Sequence, residues 1–537
     1  MPDSLTGRDR LAQAALASLP QILMQQDRNP VSATYGCFDR AYWHYRILDF
    51  PCGMSQEFVL PLALAWALPM PGNRWHGEPA MRDWVEAGIR YAARSAHADG
   101  SCDDYYPHER AAGAAAFSLF ACLEAAKIVG LEGDAEIEAF FAKRAEWLAH
   151  HQESGRLSNH EALIIACLAR MSQRDAARWN EALAQRVARI ASWQSAEGWF
   201  DEYGGADPGY LTLTIGMLAD ADAIRPDLNL QPMIDRAVAF LATVIHPDGT
   251  LGGEYTSRAT VNFFPHGLER IGARNRQALA IAERGYRRFE ADVGPSHADD
   301  RIVGHHAWSR MLAWRDWQAE RPAPLALADG LTDHEGAQIR VQAKGTLRLF
   351  VGWGRGAAFR LFDGERLLRA DTGPTLALVD GKVAVSHLPG MRVVERTADA
   401  IEVEGPMAYA KTARLTPAKS IVLRLMMLSI GRWFPDLVRR MLQAILVTGR
   451  KDAPFHASRR IVWESGALVV TDRITPRSGW ANVRRAGIGG FQVSITTIMA
   501  RVWEPAQLQP FDDVTAQVRA LSGAAPLTIT RRYEPGA

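Results

Sequence analysis

Up to about residue 320, apolar positions recur at three- and four-residue spacing, in Ala/Leu-rich stretches such as 111–129, 135–150 and 233–245. That period predicts amphipathic helices, and strand-like alternation is rare in this half. The loops between the helical stretches repeat a theme: Asp99-Gly100-Ser101, Glu153-Ser154-Gly155, Glu197-Gly198-Trp199 and Asp248-Gly249-Thr250. Their leading acids are 54, 44 and 51 residues apart, an interval that one helical hairpin per repeat accounts for. Stacked αα units of this period predict an open solenoid or a closed toroid.

The pattern changes after a linker between Gln318 and Gly336 that holds Pro322, Pro324 and Gly330. Ile339-Arg340-Val341-Gln342-Ala343 alternates, 376–387 breaks at Asp380-Gly381 like a hairpin, and Ala467-Leu468-Val469-Val470 follows Ser465-Gly466. The expected fold is multidomain α and β. An N-terminal (α/α) toroid of helical hairpins over 1–325, catalytic and substrate-binding, precedes a C-terminal antiparallel β-sandwich over 326–537. Inside the second half, 434–448 reads as one basic amphipathic helix, with Arg439 and Arg440 beside Leu437, Val438, Met441 and Leu442. Such a helix either covers a sheet or makes peripheral contact with a membrane.

Composition narrows the class. The chain has 537 residues, 48% hydrophobic and 23% charged, which excludes disorder, collagen and coiled-coil rods. Its 61 basic and 60 acidic residues nearly cancel, so no nucleic-acid partner is expected. From Gly330 onward, however, 29 Lys and Arg stand against 18 Asp and Glu, leaving 32 against 42 in the rest. The C-terminal part is therefore expected to face something acidic, a polyanion or a membrane surface. Five cysteines without a C-x-x-C pair argue against a disulfide framework. No secretory signal is read at the N-terminus and no uncharged stretch reaches the ~20 residues of a membrane span. A cytoplasmic location is expected, or a periplasmic one if a leader has been removed.

Each Gly turn is followed by polar and aromatic residues and then by another apolar helix. The sets are Asp103-Asp104-Tyr105-Tyr106, Asn159-His160-Glu161, Asp201-Glu202-Tyr203, and Glu254-Tyr255 with Arg258; His266 comes next in line. In equivalent hairpins these sets gather at one end, where helix N-termini favour an anionic ligand. The alternative is that the acids and Asn only cap helices. For an acidic sugar polymer, elimination needs three services: neutralisation of the uronate carboxylate, a base at C5 and an acid at the leaving C4 oxygen. Asn159 and His160 can hold the carboxylate; Tyr210, with Arg258 as the cation that lowers its pKa, can serve as base and then acid. Asp104, Tyr105, Tyr203, Glu254, Tyr255 and His266 are the expected substrate-binding residues. The scheme needs no metal and no cofactor. Asn159 and Tyr210 are 51 residues apart, one hairpin period, at the starts of helices opened by Ser158-Asn159-His160-Glu161 and by Asp207-Pro208-Gly209-Tyr210.

A helical-hairpin half, a linker and a sandwich, with an Asn-His pair at a helix start and a Tyr one hairpin later, resembles the polysaccharide lyases of the heparinase II/III type. The resemblance implies a bacterial lyase-like enzyme acting by β-elimination on a uronic-acid-containing polysaccharide or oligosaccharide, with Asn159, His160 and Tyr210 carrying the reaction. The family's early sandwich segment is rich in histidine. The similar stretch here, Gly352-Trp353-Gly354-Arg355-Gly356-Ala357-Ala358-Phe359, has none. That departure keeps three alternatives open: a C5-epimerase-like or non-catalytic protein of exopolysaccharide biosynthesis, and a toroid glycoside hydrolase using paired carboxylates such as Asp103 and Asp104.

Overall fold

The computed structural model describes residues 7–153, 155–290, 301, 303–410, 416–443, 449–490 and 503–536. Ser154 of the second Gly loop and residues 444–448 of the expected basic helix lie outside them.

Helices Ala112–Val129, Ser158–Arg174 and Pro208–Ile224 are buried on nearly every side. Helices Pro79–Ser95, Ala135–His150, Ala176–Ala191 and Gln231–Val244 bury only one stripe. A helix apolar all round must lie inside, so the first set forms an inner ring and the second an outer one. The inner ring closes. Val59–Ala67, Ala112–Val129, Ser158–Arg174, Pro208–Ile224, His266–Arg270 and Val303–Arg315 each pack on the next, and the last packs on the first. Of the two expected architectures the chain adopts the toroid. Ala112–Val129 is the one described helix long and apolar enough to cross a bilayer, and as a member of this ring it is buried in the protein core.

The repeated glycines have one shared cause. Gly100, Gly198 and Gly249 all have positive φ, and a Cβ on them would sit 2.7, 2.2 and 2.1 Å from the carbonyl oxygens of Lys143, Arg236 and Arg284. Each turn thus abuts the backbone of an outer helix, which only glycine permits. Gly36 does the same against Ala87, at 2.1 Å, an earlier unit that the loop spacing did not reveal. Ser101 and Thr250 donate to Asp99 and Asp248 at 2.6 and 2.7 Å, so these two acids serve their own turns.

The second half is a pair of antiparallel sheets. β1 (Leu331–His334), β2 (Ile339–Lys344), β3 (Leu347–Gly352), β4 (Ala358–Asp363) and β5 (Arg366–Asp371) form a five-stranded sheet in that order. The larger sheet comprises β6 (Pro374–Leu378), β7 (Val383–Val385), β8 (Arg392–Arg396), β9 (Ala400–Tyr409), β10 (Asp452–Glu464), β11 (Ala467–Pro476), β12 (Val483–Ile488), β13 (Asp512–Asp513) and β14 (Leu527–Tyr533). Its order is β13-β12-β6-β7-β9-β10-β11-β14, with β8 also paired to β9. The smaller sheet is buried on both faces, which explains the near-continuous apolar run of β3. Ile339, Val341, Phe350 and Phe362 join the toroid core. Leu347, Leu349, Val351 and Phe359 pack on Ile401, Val403, Ile461 and Val470 of the larger sheet. Between β9 and β10 a strap crosses to the toroid: helix Pro417–Met426, a π turn Met427–Gly431, and helix Pro435–Gln443. The basic helix expected from 434 is thus the second arm of this strap. Its Leu437 and Met441 are exposed instead of covering a sheet.

The two sheets are stapled by a buried ionic cluster. Arg459 of β10 donates to Asp371 of β5 at 2.6 Å and to Asp472 of β11 at 2.7 Å, and Arg531 of β14 pairs with both acids. Arg459 and Asp472 are at most 1% exposed, and the two arginines hold the Asp371 carboxyl far below its ordinary range against the effect of burial. Arg459→Met should cost about 3–5 kcal/mol, because it leaves buried carboxylate charge under-compensated. Urea unfolding followed by circular dichroism is expected to show the lowered midpoint; an unchanged midpoint would exclude the staple.

Candidate functional site

Adjacent inner helices begin side by side at one end of the toroid. Pro208–Ile224 starts where Asp207 caps it, accepting from the Tyr210 backbone N–H at 2.9 Å, with Pro208 in the first turn where no N–H is needed. Thr260 also donates to Asp207, at 2.5 Å. Ser158–Arg174 begins at Ser158, and its first residues turn to a carboxylate from the loop between the two helices. That carboxylate is Glu202, 1% exposed. It accepts from Ser158 Oγ at 2.8 Å, Asn159 Nδ2 at 2.9 Å and Arg258 Nη1 at 2.6 Å. Three loops therefore meet on one buried acid, and Asn159, Tyr210 and Arg258, named from the sequence, are brought together.

Arg258 lies over two rings, its guanidinium carbon 4.3 Å from the centroid of Tyr210 and 5.0 Å from that of Tyr203. Burial raises the Tyr210 hydroxyl above its ordinary pKa; Arg258 and a hydrogen bond with Asn262 oppose the rise. Around this group several buried polar atoms have no hydrogen-bond partner among the described residues: Asn159 Oδ1, Asp207 Oδ2, Ser257 Oγ and Arg258 Nε. Unmet donors and acceptors converging beside a cation are what a polar ligand would satisfy.

His160 completes the cluster. Its Nδ1 lies 2.7 Å from Glu153 Oε2, and burial lowers its pKa to about 4, with Glu202 opposing. The neutral imidazole therefore donates from Nδ1 to the carboxylate and keeps its lone pair on Nε2. Gly113 makes room for the ring, since a Cβ there would lie 2.4 Å from His160 Cε1. The other oxygen of Glu153 pairs with Arg439 of the strap.

Of the expected aromatic residues, Tyr210 is buried at 3% exposure and Tyr105 is exposed at 40%, beside the buried Asp104 and Glu109. Asp104 accepts from Arg301 at 3.0 Å, and Arg301 lies 5.0 Å from the centroid of Tyr105. Glu109 receives the backbone N–H groups of Asp104 and Tyr105 at 3.1 and 2.7 Å. Burial, then the charge of Asp104, push the Glu109 carboxyl up to about 7. The structure directs three of the expected binding residues elsewhere. Glu254 pairs with Arg360 of β4 at 3.4 Å. Tyr255 is buried with its hydroxyl 2.8 Å from His246 Nε2. Both serve the joint between toroid and sandwich. His266 is wholly buried farther along Pro208–Ile224, against Gly216, with Nδ1 2.8 Å from Ser309 Oγ. Spacing put these three in line with the others, but sequence carries no information on which way a loop side chain turns.

Several participants were given no role from the sequence: Glu153, Glu202, Glu109, Asn262 and, from the sandwich, Arg355 and Arg439. Glu153 was visible in a repeated Gly loop and Glu202 in the polar set that follows one. Arg355 reaches in from the sandwich to donate to the Ser257 carbonyl at 2.7 Å, and burial lowers its pKa to about 10. The segment without histidines is also met by one from a distant turn. His387 backs onto Gly356, whose Cβ would lie 3.1 Å from His387 Cα.

No family model and no curated protein matches the chain. Among solved structures it is similar to the Streptomyces coelicolor A3 chondroitin AC lyase in complex with chondroitin sulphate, with TM-score 0.53 and 11% identity over 100% of this chain and 80% of that one. It is also similar to a Paenibacillus xanthan lyase, with TM-score 0.50 and 10% identity over 89% of this chain and 46% of that one. The chain thus spans less than half the length of the xanthan lyase. At these identities the likeness concerns architecture alone: this chain shares with these two polysaccharide lyases the fold of a helical toroid joined to an antiparallel β-sandwich.

Proposed function

We propose that the protein cleaves a uronic-acid-containing polysaccharide by β-elimination, with His160 as base and Tyr210 as acid. The observation that carries this reading is geometric: Glu153 accepts the Nδ1–H of His160 and leaves Nε2 available, while Arg258 and Glu202 hold the Tyr210 ring at the same cluster. His160 has a free Nε2 lone pair above about pH 4, whereas Tyr210 keeps its proton because burial raises its pKa. A pair whose pKa values are pushed apart in this way is suited to acid and base work at one pH. His160 Nε2 takes the C5 proton, the electron pair forms the C4–C5 double bond, the C4–O bond breaks, and the Tyr210 hydroxyl protonates the leaving oxygen. Asn159 and Arg258 face the uronate carboxylate with an amide N–H and the unmet Nε–H, stabilising charge that builds on the carboxylate as C5 is deprotonated. This division of labour replaces the expectation that Tyr210 does both jobs while His160 donates to the carboxylate, because Nδ1–H is already committed to Glu153.

A second reading has its own observation. Glu109, raised to about 7 beside Asp104, has the character of a general acid in a toroid hydrolase. Such an enzyme would release reducing ends without a new chromophore, in a reaction lost in Glu109→Gln and kept in Tyr210→Phe.

Elimination makes an unsaturated uronate that absorbs in the ultraviolet. Against a panel of alginate, polyglucuronate, heparan and chondroitin polymers, the protein is expected to generate that absorbance with at least one. Tyr210→Phe should lower the rate by about 10²–10⁴-fold with substrate binding retained; full activity in the variant would remove Tyr210 from the reaction. For the pH profile of kcat/KM, the base must be neutral and the acid protonated. The acid limb is therefore expected near about 4 instead of the ordinary histidine value, and the alkaline limb above the ordinary tyrosine value. A rate climbing about tenfold per pH unit through neutrality would instead make ionised Tyr210 the base. Gly113→Ala, which pushes on the His160 ring, should cut kcat by about 10²-fold with the fold retained by circular dichroism; unaltered kcat would mean that the ring position is not critical.

A further inference from the structure

The strap over 417–443 exposes the wrong side for a cover. On its first arm Ile421, Val422, Leu425 and Leu428, spaced i, i+1, i+4 and i+7 along one face, are 53–64% exposed. At the elbow and along the second arm, Trp433 is 75% exposed, Phe434 63%, Leu437 56% and Met441 43%. Inward, Met427 and Val438 are the contacts, at 0% and 2%. An ordinary surface helix turns its apolar stripe to the core; these two arms turn theirs outward. The loop to which the strap is tied, through Arg424 and Asp49 at 2.8 Å, extends the patch with Tyr45 and Ile47, 58% and 74% exposed. Monomeric soluble proteins seldom present so continuous an apolar surface without a partner.

Charge identifies the partner. The strap carries Lys419, Arg424, Arg432, Arg439 and Arg440 against the single acid Asp436. Arg424 and Arg439 are used inward, on Asp49 and Glu153. Lys419, Arg432 and Arg440 are exposed and form no salt bridge with an acidic side chain among the described residues. A tryptophan and a phenylalanine at the elbow, aliphatic side chains on both arms and exposed cations beside them match the headgroup boundary of an anionic bilayer. A second copy of the chain fits poorly: a two-fold contact through this face would set the same cations against one another. We propose that the strap is a membrane-docking surface that seats the protein on a bilayer bearing anionic headgroups. The arm that carries Leu437 and Met441 also holds Glu153 through Arg439, so the docked face and the candidate cleft lie together.

The test is co-sedimentation of the full chain with vesicles of phosphatidylcholine alone and of phosphatidylcholine with phosphatidylglycerol. The protein is expected to pellet with the anionic vesicles at least about tenfold more strongly, and less so as salt rises. The double variant Trp433→Ser/Phe434→Ser should lose that binding by at least about tenfold. Arg432→Glu/Arg440→Glu should lose the preference for phosphatidylglycerol. Melting temperature and light-scattering mass, measured on each variant, separate these effects from misfolding. Absence of binding to either vesicle overturns the proposal, as does binding untouched by the Trp433/Phe434 change. Equal binding to both vesicles overturns the anionic preference. A concentration-dependent dimer dissolved by Trp433→Ser/Phe434→Ser, without vesicle binding, would assign the face to a second copy.

Discussion

The candidate site depends on one buried carboxylate. Glu202 accepts hydrogen bonds from Ser158, Asn159 and Arg258, groups from one helix start and from a loop about a hundred residues farther along the chain. A carboxylate without solvent must be matched by donors and positive charge. That requirement draws the loops of neighbouring hairpins to one point. With Arg258 held there, its guanidinium lies against the Tyr210 ring; with Asn159 held there, its remaining amide hydrogen and its unmet Oδ1 are left for a ligand. Glu153 plays the corresponding part for His160, choosing which nitrogen carries the proton.

The sandwich contributes in a different way. Its smaller sheet lies between two cores, one shared with the toroid and one with the larger sheet, so the joint between halves is continuous hydrophobic packing reinforced by polar contacts. Arg360 takes Glu254, Arg355 takes the Ser257 carbonyl, and Thr243 meets His334 at 2.8 Å. These contacts explain why the loop 254–258 divides its residues. Glu254 and Tyr255 are spent on the joint, while Arg258, one turn of loop later, is free to enter the cluster. The strap adds a third point of contact through Arg439, linking an outward-facing apolar surface to the loop that orients His160.

Much of the architecture was written in local pattern. Helix periodicity, the Asp-Gly-Ser/Thr turns, the linker prolines and the alternation after Ile339 are each legible in a few neighbouring residues, although the glycines of the turns also answer to the outer-helix backbone packed against them. The repeat interval also placed Asn159 and Tyr210 at corresponding ends of adjacent inner helices, because equal hairpins put equal positions in register. Direction within loops was not legible in that way. His266 and Tyr255 obey the same spacing as Arg258, yet their side chains are buried against Ser309 and His246.

What the sequence determined by itself was therefore the set of elements, their order and the end of the toroid at which Asn159 and Tyr210 lie, since these follow from propensity and period. Only the tertiary structure decided that the ring closes, that Glu202 and Glu153 organise the cluster, that Arg355 and Arg439 reach it from the other half, and that the strap turns its apolar face outward. Those outcomes depend on pairing charges and filling space between residues separated by tens to hundreds of positions. No local pattern encodes which partners will meet.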